Sequence, residues 1–309
     1  MAKTLVTGGA GFIGSHIARA LLQAGWQVRI LDNFSSGKWE NLVAIRSDVE
    51  VVQADLRDNE AVRKAVKDVK VIFHEAAFVS NPRSMLEPAD CYSINVSGTE
   101  ILLEAARKAG VGRVVLASSA AVYGEPERVP IPEEAPLKPM SPYAASKVIN
   151  ETDARMYSRS MGLEVVALRY FNVYGPNQAP DSDYSAAIPQ FIQNLLAGKA
   201  ITIHGDGLQT RDLVFVEDVV QANLLAASAS SAAGRVFNIC TGIETSVRSL
   251  ADLLIQSFPG SQNPGHSTAR PGDIYQSAGD PSIARHVLGF QAKTPLATGL
   301  EQTIEWMRR

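Results

Sequence analysis

The residues Lys3-Thr4-Leu5-Val6-Thr7-Gly8-Gly9-Ala10-Gly11-Phe12-Ile13-Gly14 decide how this chain folds. A strand-like run leads into glycines spaced G-x-x-G-x-x-G, and a helix-like stretch follows at once. Glycines let the backbone come close to a pyrophosphate, and the free N–H groups and positive dipole end of a helix N-terminus favour an anion. The stretch therefore predicts a dinucleotide-binding loop. Its contacts are expected at Gly8, Gly11, Phe12, Ile13 and Gly14.

The first half of the chain alternates strand-like runs with helix-like stretches. The strand-like runs are Lys3–Thr7, Val28–Asp32, Val49–Ala54, Val71–Ala76, Val114–Ser118 and Glu164–Tyr170. The helix-like stretches are Phe12–Ala24, Glu60–Val66, Gly98–Ala109 and Tyr143–Ser160. This alternation predicts βαβ units with right-handed crossovers. The expected fold class is therefore α/β, a doubly wound parallel (Rossmann) sheet with a smaller α/β substrate lobe.

The second half is less regular. The Pro-rich residues 125–142 and the stretch 175–185 predict long loops, which in compact domains are usually functional. Further helices are predicted at Ile188–Ala197, Val247–Ser257 and Leu300–Met307, a strand entering a helix at Leu213–Ala227, and a strand at Val236–Cys240. We expect a dinucleotide-binding domain at residues 1–170, to which 214–242 return. The substrate lobe is expected at 171–213 and 243–309.

Composition limits the classes of function. Of 309 residues, 46% are apolar and 20% charged, which is enough for a sizeable core. The net charge is -3 without a basic run, which argues against nucleic-acid binding. Cys91 and Cys240 have no paired spacing and predict small buried side chains. The histidines lack the spacing of metal ligands, so no metal is expected.

The N-terminus predicts neither a secretory signal nor a membrane anchor. It enters a strand-like segment without an apolar h-region or cleavage site. No apolar run reaches about 18 residues, the length needed to span a bilayer. We therefore expect a cytoplasmic protein without a membrane partner.

Two carboxylates are candidates for contacts with a dinucleotide. Asp32 ends the second strand-like run about twenty residues after the glycines, where a carboxylate can accept both ribose hydroxyls. A carboxylate there also repels a 2′-phosphate, which favours NAD over NADP. Asp55 follows the third run and is placed to meet the adenine. The alternatives are a strand-end turn for Asp32 and a helix N-cap for Asp55.

A second motif supplies a candidate chemical site. Tyr143 and Lys147 are four residues apart and share one face of a predicted helix. A nearby ammonium lowers the pKa of a phenol, and an oxidised nicotinamide adds a second positive charge. Such a tyrosine can take the proton of a sugar hydroxyl as hydride leaves the carbon. Ser119 ends the fifth strand-like run, at the edge of a parallel sheet where ligands bind.

Together these motifs resemble a known family over nearly the whole chain. The matching segments are Thr7–His16, Asp32-Asn33, Ala54-Asp55-Leu56, His74-Glu75-Ala76-Ala77, Asn95–Thr99, Ser118–Gly124, Tyr143 with Lys147, Arg169-Tyr170-Phe171-Asn172 and Gly205–Asp212. The chain resembles the extended short-chain dehydrogenases/reductases, and among them the UDP-glucose and UDP-N-acetylglucosamine 4-epimerases.

The resemblance implies an NAD-dependent C4 epimerase of UDP-hexoses. NAD would stay bound and be regenerated through a 4-keto sugar. The implied NAD contacts beyond the glycine loop are Asp32, Asn33, Asp55, Leu56, Ala76, Asn95, Tyr143, Lys147 and Tyr170. The implied catalytic residues are Ser119, Tyr143 and Lys147, and the implied substrate contacts are Ser119, Tyr143, Asn172, Arg211, Arg270, Asp273 and Ser277. It also implies a homodimer built on the helices around 91–108 and 143–160.

Local departures from related enzymes favour epimerisation. Related 4,6-dehydratases carry an Asp-Glu pair after the catalytic threonine, and related decarboxylases a Glu beside the serine. Here Ser119 is followed by Ala120 and Ala121, so elimination and decarboxylation are disfavoured. Ser277 resembles a gatekeeper position where a bulky Tyr excludes an N-acetyl group, which suggests that UDP-GlcNAc and UDP-GalNAc are accepted as well. The alternative is an ordinary strand residue.

Three other functions remain open from the sequence. A UDP-glucuronate 4-epimerase would need an extra cation near the sugar C6, for which Arg83 is a candidate. An NAD(P)H-consuming nucleotide-sugar reductase would show net cofactor turnover. A non-catalytic module that senses NAD would be expected to lack Tyr143 or Lys147, and both are present.

Overall fold

A seven-stranded parallel sheet forms the centre of the molecule. The computed structural model describes residues 3–180, 187–269 and 274–309. The strands of this sheet are β1 (Lys3–Thr7), β2 (Gln27–Asp32), β3 (Val49–Gln53), β4 (Val69–His74), β5 (Arg113–Ser119), β6 (Glu164–Tyr170) and β11 (Val236–Ile239). Their order is β11-β6-β5-β4-β1-β2-β3, and every neighbouring pair is parallel. The strand order reverses at β1, so the carboxyl ends of the strands open a crevice there.

Helices cover both faces of this sheet. Those of the first half are α1 (Phe12–Gln23), α2 (Asn59–Ala65), α3 (Asn81–Leu86), α4 (Pro88–Tyr92), α5 (Thr99–Lys108) and α6 (Pro142–Ser160). The second half adds α7 (Ala187–Leu196), α8 (Val216–Ser228), α9 (Val247–Gln256), α10 (Ser282–Leu288) and α11 (Leu296–Met307). One buried apolar cluster lies on the side of α1 and α8, and another on the side of α5 and α6. In the part of the chain that the structure describes, no helix is long and apolar enough to cross a membrane.

Short strands and a third apolar cluster build the region beyond the sheet. The strands are β7 (Asn172–Tyr174), β8 (Thr202–His204), β9 (Thr210–Arg211), β10 (Leu213–Phe215), β12 (Thr245–Ser246) and β13 (Gly265–Ser267). They pair as β10 with β7, β12 with β9, and β13 with β8. The third cluster joins side chains of α7, α9 and α11 to these strands. The predicted doubly wound sheet with a smaller α/β lobe is confirmed.

The sequence predicted the main strands and helices within a few residues but missed several short elements, among them the short strands beyond the sheet. It missed the short helices α3 and α4 and the helical turns that follow them over Ser93–Gly98. It also missed α10. Ser80 caps α3 by accepting the Arg83 N–H at 3.1 Å, and a proline stands in the first turn of both α3 and α4. These helices are too short to show a clear 3.6-residue pattern, so their capping and packing determine them.

A buried ion pair fixes α6 to the sheet. The Glu151 carboxylate on α6 accepts from Arg169 Nε at 2.8 Å and Arg169 Nη2 at 2.7 Å, and from Ser118 Oγ at 2.7 Å. Both charged side chains are almost completely buried. Arg169 also donates to the Tyr123 hydroxyl at 2.6 Å. Because Ser118 lies on β5 and Arg169 lies on β6, this carboxylate joins the helix to two strands.

We expect Arg169→Met to lower the free energy of unfolding by about 3–5 kcal/mol, because it leaves the Glu151 charge buried without a partner. The double variant Arg169→Met/Glu151→Met should recover most of that loss, since it removes both charges. Arg309→Met, which breaks an exposed pair with Glu305, should cost at most about 1 kcal/mol. Urea denaturation followed by circular dichroism measures all three. A double variant less stable than the single one would contradict this account.

Candidate active site

A cavity of about 520 Å³ opens at the carboxyl edge of the sheet. Its lining includes five residues that the sequence singled out: Ser119, Tyr170, Asn172, Arg211 and Ser277. No described residue of its lining is an aspartate or a glutamate. Arg270 and Asp273 lie outside the described residues. A second cavity, of about 560 Å³, lies along the Pro-rich loop between Glu125 and Lys138 and contains none of the candidate residues.

The first turn of α6 places Tyr143 beside Ser119. Ser141 caps the helix by accepting the Ala144 N–H at 3.1 Å, and Pro142 occupies its first position. The Tyr143 N–H donates to Ser84 Oγ of α3 at 3.2 Å, which ties the two helices together. The Tyr143 phenol lies beside the Ser119 hydroxyl, which favours the ionised form of the phenol. The structure therefore brings together the phenol and the serine hydroxyl that the sequence proposed as partners.

Burial raises the pKa of the Tyr143 phenol, while the neighbouring Ser119 hydroxyl acts in the opposite direction. The sequence analysis expected a lowered pKa from the neighbouring ammonium. The protein's own groups do not produce it, because desolvation of the phenolate is the largest effect here. The carboxyl group of Glu75 adds to the rise.

Lys147 lies one turn further along α6 and is also buried. Its Nζ donates to the Ala117 carbonyl of β5 at 2.8 Å and lies 5.8 Å from the centroid of the Tyr143 ring. Burial lowers the pKa of the Lys147 amine to about 8. The amine is thus held at the end of β5, two residues before Ser119, with its charge sensitive to pH near neutrality.

The glycine loop forms a cradle that leaves no room for side chains. Gly8 has a φ of 67°, and a Cβ there would stand 2.7 Å from the Ala76 nitrogen. A Cβ on Gly14 would overlap the Gly8 carbonyl oxygen. The backbone of this loop is therefore exposed to whatever occupies the crevice, at the N-terminus of α1. That cradle fits a dinucleotide pyrophosphate.

Asp32 holds the loop together. Its carboxylate accepts the Ala10 N–H at 2.9 Å and the Phe34 N–H at 2.8 Å, and burial raises its pKa. Asp55 accepts from Arg57 and, at 3.0 Å, from Asn33 Nδ2. The hydrogen bonds of Arg57 hold the pKa of Asp55 well below its usual range. Asp58, not Asp55, caps α2, so the N-cap alternative for Asp55 is wrong.

The remaining candidate cofactor residues differ in their surroundings. The Asn95 amide is fully engaged within the protein, through both Phe78 backbone groups and Ser146 Oγ. Leu56 is buried against Gly98. The Ala76 N–H donates to Thr7 Oγ1 at 3.3 Å at the rim of the glycine loop. These contacts hold the side chains and backbone around the crevice in place within the protein itself.

Sequence reasoning missed a polar network around Glu75. The Tyr170 hydroxyl donates to Glu75 Oε1 at 2.8 Å and accepts from Asn223 Nδ2 of α8 at 2.8 Å. Burial raises the pKa of the Glu75 carboxyl to about 7. Glu75 belongs to the segment His74-Glu75-Ala76-Ala77 that resembles the family. Its partner Tyr170 is 95 residues further along the chain, so no local sequence pattern could predict the contact. His74, beside it, is bound to Thr7 and Thr99, and burial lowers its pKa to about 3.

Two other candidates have clear local roles. Arg83 donates to Glu87 at 2.9 Å and lies 4.7 Å from the centroid of the Phe78 ring, on an exposed helix. Arg211 lies on β9, donates to the Thr210 carbonyl at 2.7 Å and lines the cavity. Cys91 and Cys240 are buried and unbridged, as the sequence predicted.

Comparison with known proteins identifies the family. Residues 4–240 match the model of the NAD dependent epimerase/dehydratase family. A UDP-glucose 4-epimerase of Mycolicibacterium smegmatis is 42% identical over 310 residues, which cover 99% of this chain and 98% of that protein. The crystal structure of a Thermotoga maritima UDP-glucose 4-epimerase with UDP-glucose has a TM-score of 0.94 at 37% identity, covering 99% and 98% of the two chains. A Thermus thermophilus UDP-glucose 4-epimerase in complex with NAD has a TM-score of 0.91 at 36% identity, covering 99% of each chain.

Relatives with other activities are also close. A dTDP-glucose 4,6-dehydratase of Streptomyces niveus is 35% identical over 99% of the chain and 93% of that protein. A UDP-N-acetyl-alpha-D-glucosaminuronate decarboxylase of Bacillus cytotoxicus is 32% identical over 99% of the chain and 98% of that protein. Overall similarity therefore identifies the cofactor and the family, and the reaction must be argued from the site. With a glycine cradle of this geometry and these relatives, the chain belongs to the NAD-dependent epimerase/dehydratase family and is an NAD-dependent enzyme.

Proposed function

We propose that this enzyme inverts C4 of a UDP-hexose through a transient 4-keto sugar. The substrates are UDP-glucose and UDP-galactose, together with their N-acetylated counterparts. One observation carries the proposal: Ser119 lines a cavity whose described lining holds no carboxylate, and the Tyr143 phenol lies beside the Ser119 hydroxyl. That arrangement can remove and return one hydroxyl proton, which is all that reversible oxidation at a single carbon requires.

Each side chain has a distinct task in this reaction. Tyr143 takes the proton of the C4 hydroxyl while Ser119 hydrogen-bonds the same oxygen. NAD, when bound, supplies the hydride acceptor and a positive charge that favours the Tyr143 phenolate. Lys147 holds the nicotinamide ribose and adds its own positive charge 5.8 Å from the Tyr143 ring. After the sugar has turned over in the cavity, Tyr143 returns its proton to the oxygen.

We propose that the residues around the glycine loop hold NAD. The glycine loop would hold the pyrophosphate, Asp32 the adenosine ribose, and Asn33 with Asp55 the adenine. Leu56, Ala76, Asn95 and Tyr170 would line the rest of the NAD site. On the substrate side we propose that Asn172 and Arg211 bind the diphosphate, because a guanidinium fork matches phosphate oxygens. Arg270 and Asp273 would complete the nucleotide site from outside the described residues.

Elimination and decarboxylation find less support in the site. Both need an acid or base beside the serine, and the turn after Ser119 brings Ala120 and Ala121 into the cavity instead. A UDP-glucuronate substrate also finds less support, because Arg83 is paired with Glu87 and packed on Phe78. The presence of both Tyr143 and Lys147, close to Ser119 and the end of β5, disfavours a module that only senses NAD.

We further propose a homodimer formed through α5 and α6. The exposed face of α6 carries apolar side chains, and Ile149 and Met156 are 37% and 44% exposed. A soluble helix ordinarily turns such residues towards a partner. A second copy of the same chain would bury them in a symmetric contact.

The direct test of the proposal is turnover without added cofactor. Purified enzyme should convert UDP-galactose to UDP-glucose, or UDP-GalNAc to UDP-GlcNAc, with no NAD supplied and no net absorbance change at the wavelength of NADH. Chromatography of the nucleotide sugars measures the conversion. Failure with all four sugars would remove the proposal, and steady cofactor consumption would identify a reductase instead.

Tyr143→Phe should reduce kcat by about 10²–10⁴-fold, because the variant keeps the ring but loses the group that carries the proton. The protein should still fold, and denaturing it should still release bound NAD. Tyr92→Phe, on the exposed end of α4, is the matched control and should leave kcat unchanged. Substantial turnover by Tyr143→Phe would show that another group is the base.

Ser277→Tyr should discriminate against N-acetylated sugars. Ser277 lines the cavity and is only 8% exposed, so a phenol there takes up space that an acetamido group would need. We expect kcat/KM for UDP-GalNAc to fall at least about tenfold more than kcat/KM for UDP-galactose, a small steric difference in free energy. Equal losses for the two sugars would contradict a gatekeeper role for Ser277.

A further inference from the structure

Lys147 can tune Tyr143 only while its amine carries a proton, and burial works against that charge. Desolvation is the largest influence on the pKa of Lys147 and lowers it. A buried ammonium persists only if an anion faces it or if strong acceptors surround it. The acceptor within reach is the neutral Ala117 carbonyl at 2.8 Å. An anion is therefore needed nearby.

The titratable groups that face Lys147 come from three directions. They are Tyr143 and Glu151 on α6, Cys91 on α4, and His74 and Glu75 at the end of β4. His74 is held neutral, because burial lowers its pKa to about 3. Burial raises the pKa of the Cys91 thiol, so that group is neutral as well. Two carboxyl groups remain.

Of these two, Glu151 already has a cation of its own. Both of its oxygens accept from Arg169, at 2.8 Å and 2.7 Å, and a third bond comes from Ser118. Its charge is therefore largely neutralised by Arg169. Glu75 is different, because among the described residues its side chain accepts only from the neutral Tyr170 phenol.

The strand register brings Glu75 close to the amine. His74 pairs with Leu116, so the next residue on each strand, Glu75 and Ala117, are neighbours at the edge of the sheet. Adjacent strands are about 4.8 Å apart. Ala117 is the residue whose carbonyl holds Lys147 Nζ. Glu75 and the residue that holds the Lys147 amine therefore stand side by side at the ends of β4 and β5, where the two charges influence each other.

We propose that Glu75 is a positioning residue of the reaction: its carboxylate is the counter-charge that keeps the Lys147 amine protonated beside Tyr143. Tyr170 and Asn223 orient this carboxylate through two bonds of 2.8 Å. The role of Lys147 rests on the proposed function. The charge pairing itself does not, so it can be tested without turnover.

The sign of the effect follows from the charges. Lys147 loses its proton as the pH rises through about 8, and the Glu75 carboxylate opposes that loss. Removing the carboxylate must move the loss to lower pH. The same carboxylate raises the pKa of Tyr143, so kcat at a single pH mixes two opposed effects. The titration of Lys147 itself is the unambiguous measurement.

Glu75→Gln is the decisive variant, because an amide oxygen keeps the bond from Tyr170 and removes only the charge. In holoenzyme labelled with [¹³C]lysine, the Cε resonance of Lys147, assigned by its absence in Lys147→Arg, reports the titration. We expect its midpoint to fall by about one pH unit or more in Glu75→Gln. Glu60→Gln, which removes an exposed carboxylate, should leave the midpoint unchanged.

Tyr170→Phe provides a second test in the same direction. The Tyr170 bond lowers the pKa of Glu75, so its loss leaves less carboxylate and should also lower the Lys147 midpoint, by a smaller amount. The alkaline limb of the kcat profile should move with the midpoint in both variants, whereas a purely structural defect would lower kcat equally at every pH. If the Lys147 titration in Glu75→Gln coincides with that of the unmodified enzyme, the proposal is wrong, whether or not the enzyme is an epimerase.

Discussion

The Glu151–Arg169 pair sets the geometry on which the rest of the site depends. Two opposite charges buried beneath the crevice tolerate little displacement, because each loses its main counter-charge if the other moves. Glu151 follows Lys147 and Tyr143 at four-residue intervals along α6, so fixing it fixes the rotation of that helix. Its bond from Ser118 fixes the helix relative to the strand that ends in Ser119. The distance between Tyr143 on α6 and Ser119 at the end of β5 therefore depends on this ion pair.

Electrostatics in the crevice is governed by desolvation more than by attraction. Burial raises the pKa values of Tyr143, Glu75 and Asp32 and lowers that of Lys147. The shifts of Glu75 and Lys147 bring their pKa values towards neutrality, where each group can change its protonation at little cost, whereas Tyr143 moves further from it. The packing of the fold therefore sets the pKa values of the residues in the crevice.

Much of this arrangement could be predicted from the sequence, because the signals are local. The spacing of Gly8, Gly11 and Gly14 and the interval between Tyr143 and Lys147 each specify contacts within one or two turns of chain. The link from Glu75 to Tyr170 and Asn223 could not be found in this way. It joins residues 95 and 53 positions apart, and only the strand order brings them together. Arg83 was wrongly predicted in the opposite sense. The sequence made it a candidate cation for a sugar carboxylate, but it is paired with Glu87 four residues along the chain.

The position of β11 has a consequence for how the chain is made. This strand completes the edge of the central sheet beside β6, yet it lies some seventy residues further along the chain, after α7 and α8. On the ribosome, the backbone groups of β6 stay open while the intervening residues emerge. An open strand edge invites pairing with another nascent chain. Arg169 and Tyr170, both on β6, are thus set in their final surroundings only late in synthesis.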